Sequence, residues 1–406
     1  MATLALGAPY RRLLSATLLS NLGDGIRAAA FPLLAATLTH NPILISGVAI
    51  AGELPGLLLS LTAGSVADRF DRRRLIIVVD AVRLALLLAL IAMISLGWAT
   101  IMVVYLVVFV SAVAEVLRDT TAGTVVPSLV AVDQLDRANG RMITAEIAGN
   151  EFIGPPLGGY LFGVAVVLPF AVNGGTLAIA VALVASIPAL IRPTAPGVGR
   201  QPDSTGVRAG LRWFRDHRSF WPIPATTVAL ATTDSAWFTI LVLYIQEVLH
   251  LQAAWYGILL AIGAVGGLAG GFLAARLISS IGAKITTLGC LGLAVLGQLL
   301  LGTTSSVVAT AAVLASSSAA FAIWNVQART TVQRTAPAEL LGRVNGIQRT
   351  VIATATLAGA ALGGLSAHGL GLHAPFLMGI PVLVGAIAVV AVSKNAFGGP
   401  SVQSQQ

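Results

Sequence analysis

Charged side chains are scarce in this chain. They make up 10% of its 406 residues, whereas ordinary soluble domains carry about 25%. Hydrophobic residues reach 56%, and the mean hydropathy is +0.89. A water-soluble fold of this composition would lack the polar surface needed to cover itself. The composition therefore predicts an integral membrane protein.

Lysine and cysteine are almost absent. Lys284 and Lys394 are the two lysines, and Cys290 is the single cysteine, so no intramolecular disulfide can form. The formal net charge of +8 comes from arginines that punctuate apolar runs instead of forming one basic patch. Nucleic acid is therefore not an expected partner.

Motifs for catalysis are missing as well. Neither lysine follows a glycine, so there is no phosphate-binding loop through which ATP could drive the chain. The five histidines are scattered without the spacing of a metal site, and no nucleophile–base pair stands out. We expect no enzymatic activity, no cofactor and no metal site.

Long apolar runs are what the sequence has in abundance. A transmembrane helix needs roughly 20 mostly apolar residues, and twelve segments qualify, here called spans 1 to 12. The predicted fold is all-α, with twelve transmembrane helices in two pseudo-symmetric six-helix bundles. The predicted spans are 12–38, 43–66, 75–96, 99–120, 141–165, 167–190, 221–248, 255–278, 284–303, 306–328, 342–367 and 374–393.

Basic residues fall on alternate connections between the spans. Arginines precede span 1 and lie in or beside the connections 2–3, 4–5, 6–7, 8–9 and 10–11, whereas the other connections contain no Lys or Arg. By the positive-inside rule, this alternation predicts that both termini are cytoplasmic. The expected location is the plasma (inner) membrane.

The longest connection divides the chain into two halves. Its first part is rich in Pro, Gly and Ser, and its second part places Arg208, Arg212 and Arg215 on one helical face. That spacing predicts a short interfacial helix on anionic headgroups, with a solvated basic linker as the alternative. The predicted organisation is an N-terminal bundle, a cytoplasmic linker, a C-terminal bundle and a cytoplasmic tail at 1–190, 191–220, 221–393 and 394–406.

The two halves resemble each other. Residues 135–159 parallel residues 341–364, since each segment opens with L-x-R-x-N-G and contains Leu-Gly-Gly. Asp24 in span 1 and Asp234 in span 7 each stand 23 residues before a matching glycine. A duplicated six-helix unit is typical of two-bundle secondary transporters, which bind their substrate between the repeats.

The connection between spans 2 and 3 reads GSVADRFDRRRL, residues 64–75. It resembles the signature loop of the major facilitator superfamily, G-x-x-x-D-R-x-G-R-R/K, with Asp71 replacing the second glycine. With the L-x-R-x-N-G segments, it is similar to the macrolide-efflux and enterobactin-exporter branch. The resemblance implies a gate that latches the two bundles, with Glu115 and Asp119 of span 4 as partners of its arginines; the alternative is that these charges only fix topology. The implied gate residues are Gly64, Asp68, Arg69, Arg72 and Arg73.

Span 5 contains GNEFIGPPLGGYLFG, residues 149–163, which is unusually rich in glycine and proline. Glycines four residues apart let helices pack closely in lipid, and the two prolines permit a bend. The segment resembles the G-P-x-x-G-G antiporter motif of exporters in this superfamily; a purely structural packing element is the alternative. The motif residues are Gly149, Gly154, Pro155, Gly158 and Gly159.

Carboxylates at membrane depth are costly and usually functional. A proton-coupled exporter needs one that exchanges a proton, and the resemblance implies that helices 1, 4, 7 and 10 line the cavity. Asp24 is the first candidate, Asp234 the second and Glu53 of span 2 the third. The alternative for Asp24 is a permanently ionised partner of Arg27, three residues further on.

Aromatic and polar side chains on these four spans would suit a bulky amphipathic substrate. For each of them, packing or contact with lipid is the alternative. The candidate cavity residues are Asn21, Arg27, Phe31, Tyr105, Phe109, Trp237, Phe238, Phe321, Trp324 and Asn325.

The resemblance implies a proton antiporter that exports amphipathic organic compounds, such as antibiotics or other drugs, by alternating access. Its expected partners are that substrate, protons and the lipid bilayer. The alternatives are a proton-coupled importer or a siderophore or metabolite transporter and, from another class, a membrane receptor that does not transport.

Overall fold

The computed structural model describes residues 7–59, 62–187, 212, 215–217, 220–337 and 340–393. Within these residues every regular element is helical and there is no strand. Spans 1 to 6 are Ala8–Leu38, Pro42–Leu59, Arg72–Ser95, Ile101–Leu129, the composite Leu135–Ile147 with Ala148–Ile153 and Gly154–Val164, and Leu168–Ala185. Spans 7 to 12 are Pro222–Leu243 continued by Tyr244–Val248, Ala253–Ile281, Ala283–Thr303, Val307–Thr335, Leu341–Leu370 and Ala374–Val392.

Ten of these helices are long and apolar enough to cross a membrane on length and composition alone. Span 1 falls short because Asp24 and Arg27 lower its hydropathy, and span 5 because it is divided into shorter helices. Both occupy the positions expected of the first and fifth spans. The predicted all-α fold with twelve spans is confirmed.

The chain forms two compact units. Unit 1 comprises residues 1–199 with 251–261, and unit 2 comprises residues 200–250 with 262–406. In unit 1, span 1 packs against spans 5 and 6, and span 3 against spans 4 and 6. In unit 2, span 7 packs against spans 11 and 12, and span 9 against spans 10 and 12. Each unit therefore repeats the same helix pairs, as expected of a duplicated fold.

Each unit buries an apolar cluster where its first span begins. Tyr10 and Leu13 belong to the cluster of unit 1, and Phe220 and Ile223 belong to that of unit 2. The residue numbers differ by 210 in both pairs. The same difference relates Asp24 to Asp234, so spans 1 and 7 are aligned without a gap from their first turns to their aspartates.

Span 5 is interrupted by a π turn at Ala148–Ile153, in which the Gly154 N–H donates to the Gly149 carbonyl five residues earlier. In span 5 the first glycine of the packing pair, Gly154, lies 19 positions after Leu135, which opens L-x-R-x-N-G. In span 11 the corresponding Gly359 lies 18 positions after Leu341. A π turn accommodates one additional residue within a helix. The turn therefore returns the glycines of span 5 to the register that they have in span 11.

Most of the predicted linker lies outside the described residues, and so does the predicted tail. Arg208 and nearly all of the predicted interfacial helix fall in that part of the chain. Arg215 is described, and its side chain lies 3.4 Å from the carboxylate of Asp216 at an exposed position.

Candidate functional site

Asp24 of span 1 lies between two arginines. Its Oδ1 atom is 3.0 Å from Arg27 Nε, and the guanidinium of Arg83 in span 3 pairs with the same oxygen. The three side chains are at most 9% exposed. Protonating Asp24 would break one ion pair of each buried arginine, leaving Arg27 with Glu115 alone and Arg83 with Asp80 alone, which is unfavourable. The geometry therefore favours a carboxylate that stays ionised.

Further ion pairs extend this contact through spans 1, 3 and 4. Asp80 lies 3.3 Å from Arg83 and 3.1 Å from Arg118, and Arg118 lies 3.3 Å from Asp119. At the other end, Arg27 pairs with the carboxylate of Glu115. A buried charge needs such partners to offset its desolvation, so the pairs fix three spans relative to one another. In order, the network contains Glu115, Arg27, Asp24, Arg83, Asp80, Arg118 and Asp119.

Arg118 is one of the arginines predicted to lie in or beside the connection between spans 4 and 5. The predicted span 4 ends at residue 120, which left Arg118 beside the connection to span 5. In the structure the helix continues to Leu129, and Arg118 is fully buried, donating also to the Ala16 carbonyl at 3.2 Å. Its position between two carboxylates, at 115 and 119 on one helix, was the available signal.

Asp234 occupies the equivalent position in span 7 but has a different partner. Its Oδ1 atom accepts a hydrogen bond from the indole Nε1 of Trp237 at 3.2 Å. Within the part of the chain that the structure describes, Asp234 forms no ion pair with any basic side chain. The two repeats thus place one carboxylate among arginines and the other beside a neutral donor.

The span 5 motif packs against span 1 next to Asp24. A Cβ atom added at Gly154 would lie 2.7 Å from the Gly25 carbonyl carbon, and one at Gly158 would lie 2.8 Å from that of Ile26. A Cβ atom added at Gly149, in the π turn, would lie 2.7 Å from the backbone nitrogen of Leu22. These contacts allow no side chain, so the glycines bring the two backbones into direct contact. Pro155 stands at the start of the helix that follows the π turn.

The remaining motif glycine, Gly159, packs elsewhere in unit 1. It lies against Gly257, which belongs to the segment 251–261. A Cβ atom added at Gly257 would lie 2.7 Å from the backbone nitrogen of Tyr160. The motif therefore holds two neighbouring helices on two of its faces.

Unit 2 repeats the glycine contact between spans 5 and 1 as a contact between spans 11 and 7, and span 11 lacks the two prolines. A Cβ atom added at Gly359 of span 11 would lie 3.0 Å from Ser235 Cβ, and one at Gly363 would lie 2.7 Å from the carbonyl carbon of Ala236. The Ser235 hydroxyl donates to the Thr356 carbonyl at 2.7 Å. Span 11 therefore holds span 7 beside Asp234, as span 5 holds span 1 beside Asp24.

The gate arginines bind backbone carbonyls in unit 1. Arg73 donates to the carbonyls of Val184 and Ala185 at the end of span 6, and Arg72 donates to the Thr124 carbonyl at 3.1 Å. Cations are favourable at a helix carboxyl end. The expected partners of the gate, Glu115 and Asp119, instead pair with the arginines of spans 1 and 4 described above. Arg69 is exposed, Gly64 has open space around it, and the Asp68 side chain lies outside the described part.

Lys284 makes the corresponding contact in unit 2. It lies in the first turn of span 9, the repeat partner of span 3, and its amine donates to the carbonyls of Ala391 and Ser393 at 2.7 and 2.9 Å. Those carbonyls end span 12, the repeat partner of span 6. One of the two lysines in the chain therefore caps a helix end, as Arg73 does in the other repeat.

Glu53, the third carboxylate candidate, has an exposed side chain on span 2. Span 2 packs along span 4, and Glu53 is close enough to Glu115 for their charges to interact. Among the described residues, no group of three or more His, Cys, Asp or Glu side chains could hold a metal ion.

The candidate cavity residues differ in their exposure. Asn21, Arg27, Phe31, Trp237 and Trp324 are buried, Tyr105, Phe109 and Asn325 are partly buried, and Phe238 and Phe321 are 45% exposed.

Specific contacts explain several of the buried positions. Asn21 accepts a hydrogen bond from Asn150 at 3.1 Å, and Phe31 packs on Phe170 with ring centroids 5.4 Å apart. Trp324 lies inside the apolar cluster of unit 2. The hydroxyl of the partly buried Tyr105 donates to the Leu44 carbonyl. These side chains hold helices together in the conformation described.

Trp237 belongs to an aromatic cluster of unit 2. Its ring stacks on Phe376 of span 12, with centroids 6.0 Å apart and planes at 25°, and meets the edge of Phe238 at 5.8 Å. Phe376 in turn contacts Tyr244 at 5.1 Å. The indole beside Asp234 is therefore held by packing on two sides.

Comparison with known proteins agrees with this architecture. The family model described as Major Facilitator Superfamily matches residues 13–360. The chain is 28% identical over 407 residues to the multidrug efflux pump Tap of Mycolicibacterium fortuitum, with 95% of each chain covered. Among solved structures, a mutant of the nucleoside transporter NupG matches with a TM-score of 0.77 at 12% identity, covering 95% of this chain and 99% of that one. A bacterial homologue of the iron transporter ferroportin matches with a TM-score of 0.73 at 16% identity, covering 94% and 98%. At these identities the structures show the fold alone. The family match covers most of the chain and confirms the resemblance inferred from the signature loop. The chain belongs to the Major Facilitator Superfamily, whose members are transporters and not enzymes.

Proposed function

We propose that the protein is a secondary active exporter that carries amphipathic organic compounds, such as antibiotics or other drugs, out of the cell in exchange for protons. The observation that carries this proposal is the match to a multidrug efflux pump along 95% of both chains. The glycine–proline motif of span 5 supports export, because it resembles the motif of superfamily exporters. Transport would proceed by alternating access, with the loop at 64–75 as the gate.

Asp234 is the acid that we assign to the proton. An ionised carboxylate at membrane depth is costly unless a cation or donors compensate it. Asp234 has one neutral donor, Trp237, so it can take up a proton without leaving a cation unpaired. Asp24 lacks this freedom because taking up a proton would break its ion pairs with both Arg27 and Arg83. The structure thus favours the second candidate of the sequence analysis over the first.

Two further observations support the proposed substrate class and location. Phe238 and Phe321 remain open to a bulky apolar group, and Glu53 provides an exposed carboxylate at membrane depth. The alternation of arginines supports a plasma-membrane protein with both termini in the cytoplasm.

The test uses purified protein in liposomes that contain a pH-sensitive dye. Macrolides, tetracyclines, cationic dyes and siderophores are added one class at a time under an imposed proton gradient. We expect one class to trigger proton movement opposite to its own movement. Asp234→Asn should abolish the proton movement but retain substrate counterflow, which needs no net proton transfer. Asp133→Asn is the control, since it neutralises an exposed acid in the connection between spans 4 and 5, outside the network of ion pairs, whereas Glu53→Gln tests the third candidate acid.

The possible results separate the alternatives. Proton movement in the same direction as the substrate would indicate a symporting importer. Unchanged proton movement in Asp234→Asn would remove the role of Asp234 and, if it is lost in Glu53→Gln, transfer that role to Glu53. Absence of both substrate and proton movement with every class would contradict export of these compounds and favour a receptor.

A further inference from the structure

The two repeats build the same local contact with different donors. A numbering difference of 210 relates Asp24 to Asp234 and Arg27 to Trp237. In each repeat the residue three positions after the aspartate donates a hydrogen bond to the aspartate's Oδ1 atom. The distance is 3.0 Å from Arg27 Nε to Asp24 and 3.2 Å from Trp237 Nε1 to Asp234. One turn of helix therefore presents a charged donor in span 1 and a neutral donor in span 7.

The two donors respond differently when the acid takes up a proton. A guanidinium stays charged at any working pH, so a protonated Asp24 would deprive the buried Arg27 and Arg83 of one ion pair each. An indole carries one N–H donor and no charge. When Asp234 is protonated, the hydrogen bond weakens but no ion is left unpaired.

No other charge near Asp234 in unit 2 takes the place of the missing cation, among the residues that the structure describes. Span 7 packs against spans 11 and 12, and the contacts of span 11 beside Asp234 come from uncharged residues. Arg349 and His368 of span 11 lie ten and nine residues from Gly359, which is about 13 to 15 Å along a helix. His373, the residue before span 12, contacts Tyr244, which is ten residues from Asp234, again about 15 Å along the helix.

Packing fixes the indole in its donating position. Trp237 is 5% exposed and stacks on Phe376. The N–H is therefore directed at Asp234 by the aromatic cluster, and the side chain cannot turn away without losing that stacking.

We propose that the residue three positions after each aspartate decides which repeat carries the exchangeable proton, so that Trp237 is the positioning residue that leaves Asp234 free to exchange it. This inference rests on the proposed function, in which Asp234 is the proton carrier. Trp237 acts through Asp234: its neutral N–H orients the carboxylate and stabilises the ionised form modestly. An arginine at this position would hold Asp234 ionised, as Arg27 and Arg83 hold Asp24.

The test exchanges the donor in span 7. Trp237→Arg recreates the span 1 pair, whereas Trp237→Gln supplies a neutral donor of similar reach and is the matched control. In the liposome assay, Trp237→Arg should lower substrate-triggered proton movement about tenfold or more, with substrate counterflow retained. Trp237→Gln should retain both. Wild-type proton movement in Trp237→Arg would overturn the inference.

A second variant decides the matter if Trp237→Arg loses counterflow through misfolding. Trp237→Phe keeps the stacked ring and removes only the N–H. Because a donor to the ionised form is lost, the pH of half-maximal proton-coupled transport should move upward by about one unit. An unmoved pH profile would overturn the inference. Asp234→Asn, measured alongside, tests the proposed function separately: if it keeps its proton movement, the carrier is wrong, whatever the Trp237 variants show.

Discussion

Replacing Gly154 by alanine tests the packing of span 5 against span 1. The added Cβ atom would lie 2.5 Å from Gly25 Cα and 2.7 Å from the Gly25 carbonyl carbon. Ordinary contacts between carbon atoms are about 3.5–4.0 Å long. Both groups are backbone, so no side-chain rotation relieves the contact, and the two helices have to separate by about 1 Å.

The cost can be estimated from overpacked protein interiors. One extra methyl group in a closely packed contact costs about 1–3 kcal/mol. For a unit of about 200 residues, each kcal/mol lowers Tm by about 2–4 °C. We therefore expect the Tm of Gly154→Ala to fall by about 2–12 °C. Transport should fall as well, because span 1 carries Asp24 beside this contact.

The assay is thermal unfolding of the purified protein in detergent, with Gly175→Ala as the control. Gly175 lies in the middle of span 6, and an added Cβ atom there has no atom within 4 Å. That variant should be as stable as the wild type or slightly more stable, because alanine restricts the unfolded chain. If Gly154→Ala and Gly175→Ala unfold at the same temperature, the close backbone contact is not what the glycine provides.

Three further substitutions test the architecture. Arg83→Gln removes one partner from each of two buried aspartates and should lower the free energy of unfolding, measured in denaturant, by about 3–5 kcal/mol. The control Arg215→Gln, at an exposed pair, should change it by about 1 kcal/mol or less. Equal effects of the two substitutions would contradict the burial of the network. Gly363→Ala should destabilise unit 2 by about 1–3 kcal/mol in thermal unfolding, because its Cβ atom would meet the Ala236 backbone. Lys284→Met removes the donor at the end of span 12 and should cost about 1 kcal/mol; faster hydrogen exchange of the last turn of span 12 would show the loss, and unchanged exchange would refute the cap.

The limits of spans 9 and 12 could be predicted because each depends on its own residues. The predicted span 284–303 is the helix Ala283–Thr303, and 374–393 is Ala374–Val392. The bilayer sets the necessary length, and apolar residues fill it, so no contact with a distant segment is needed. Prediction was weaker for span 4, whose helix runs to Leu129 and whose Arg118 pairs with the buried Asp80 of span 3, and for span 2, predicted to end at residue 66 but ending at Leu59.

The π turn of span 5 shows a different limit. Gly154 and the two prolines after it predict a bend, but the place of the interruption depends on register. One extra residue relative to span 11 has to be absorbed before the glycines can meet span 1. The extra residue of span 5 can be counted in the sequence, but only the packed helices show that it has to be absorbed for the glycines to contact span 1.

By itself the sequence determined the membrane class, the twelve spans, the duplication and the superfamily, because hydropathy, charge alternation and motif spacing are properties of the chain alone. The tertiary structure decided which carboxylate has no ion pair among the described residues. Asp24 and Asp234 occupy matching positions in the two repeats, and the sequence shows one arginine close to Asp24, namely Arg27, three residues further on. The second one, Arg83, comes from another helix. Ion pairing depends on distances across the fold, and in a low-dielectric interior those distances determine whether an acid can take up a proton.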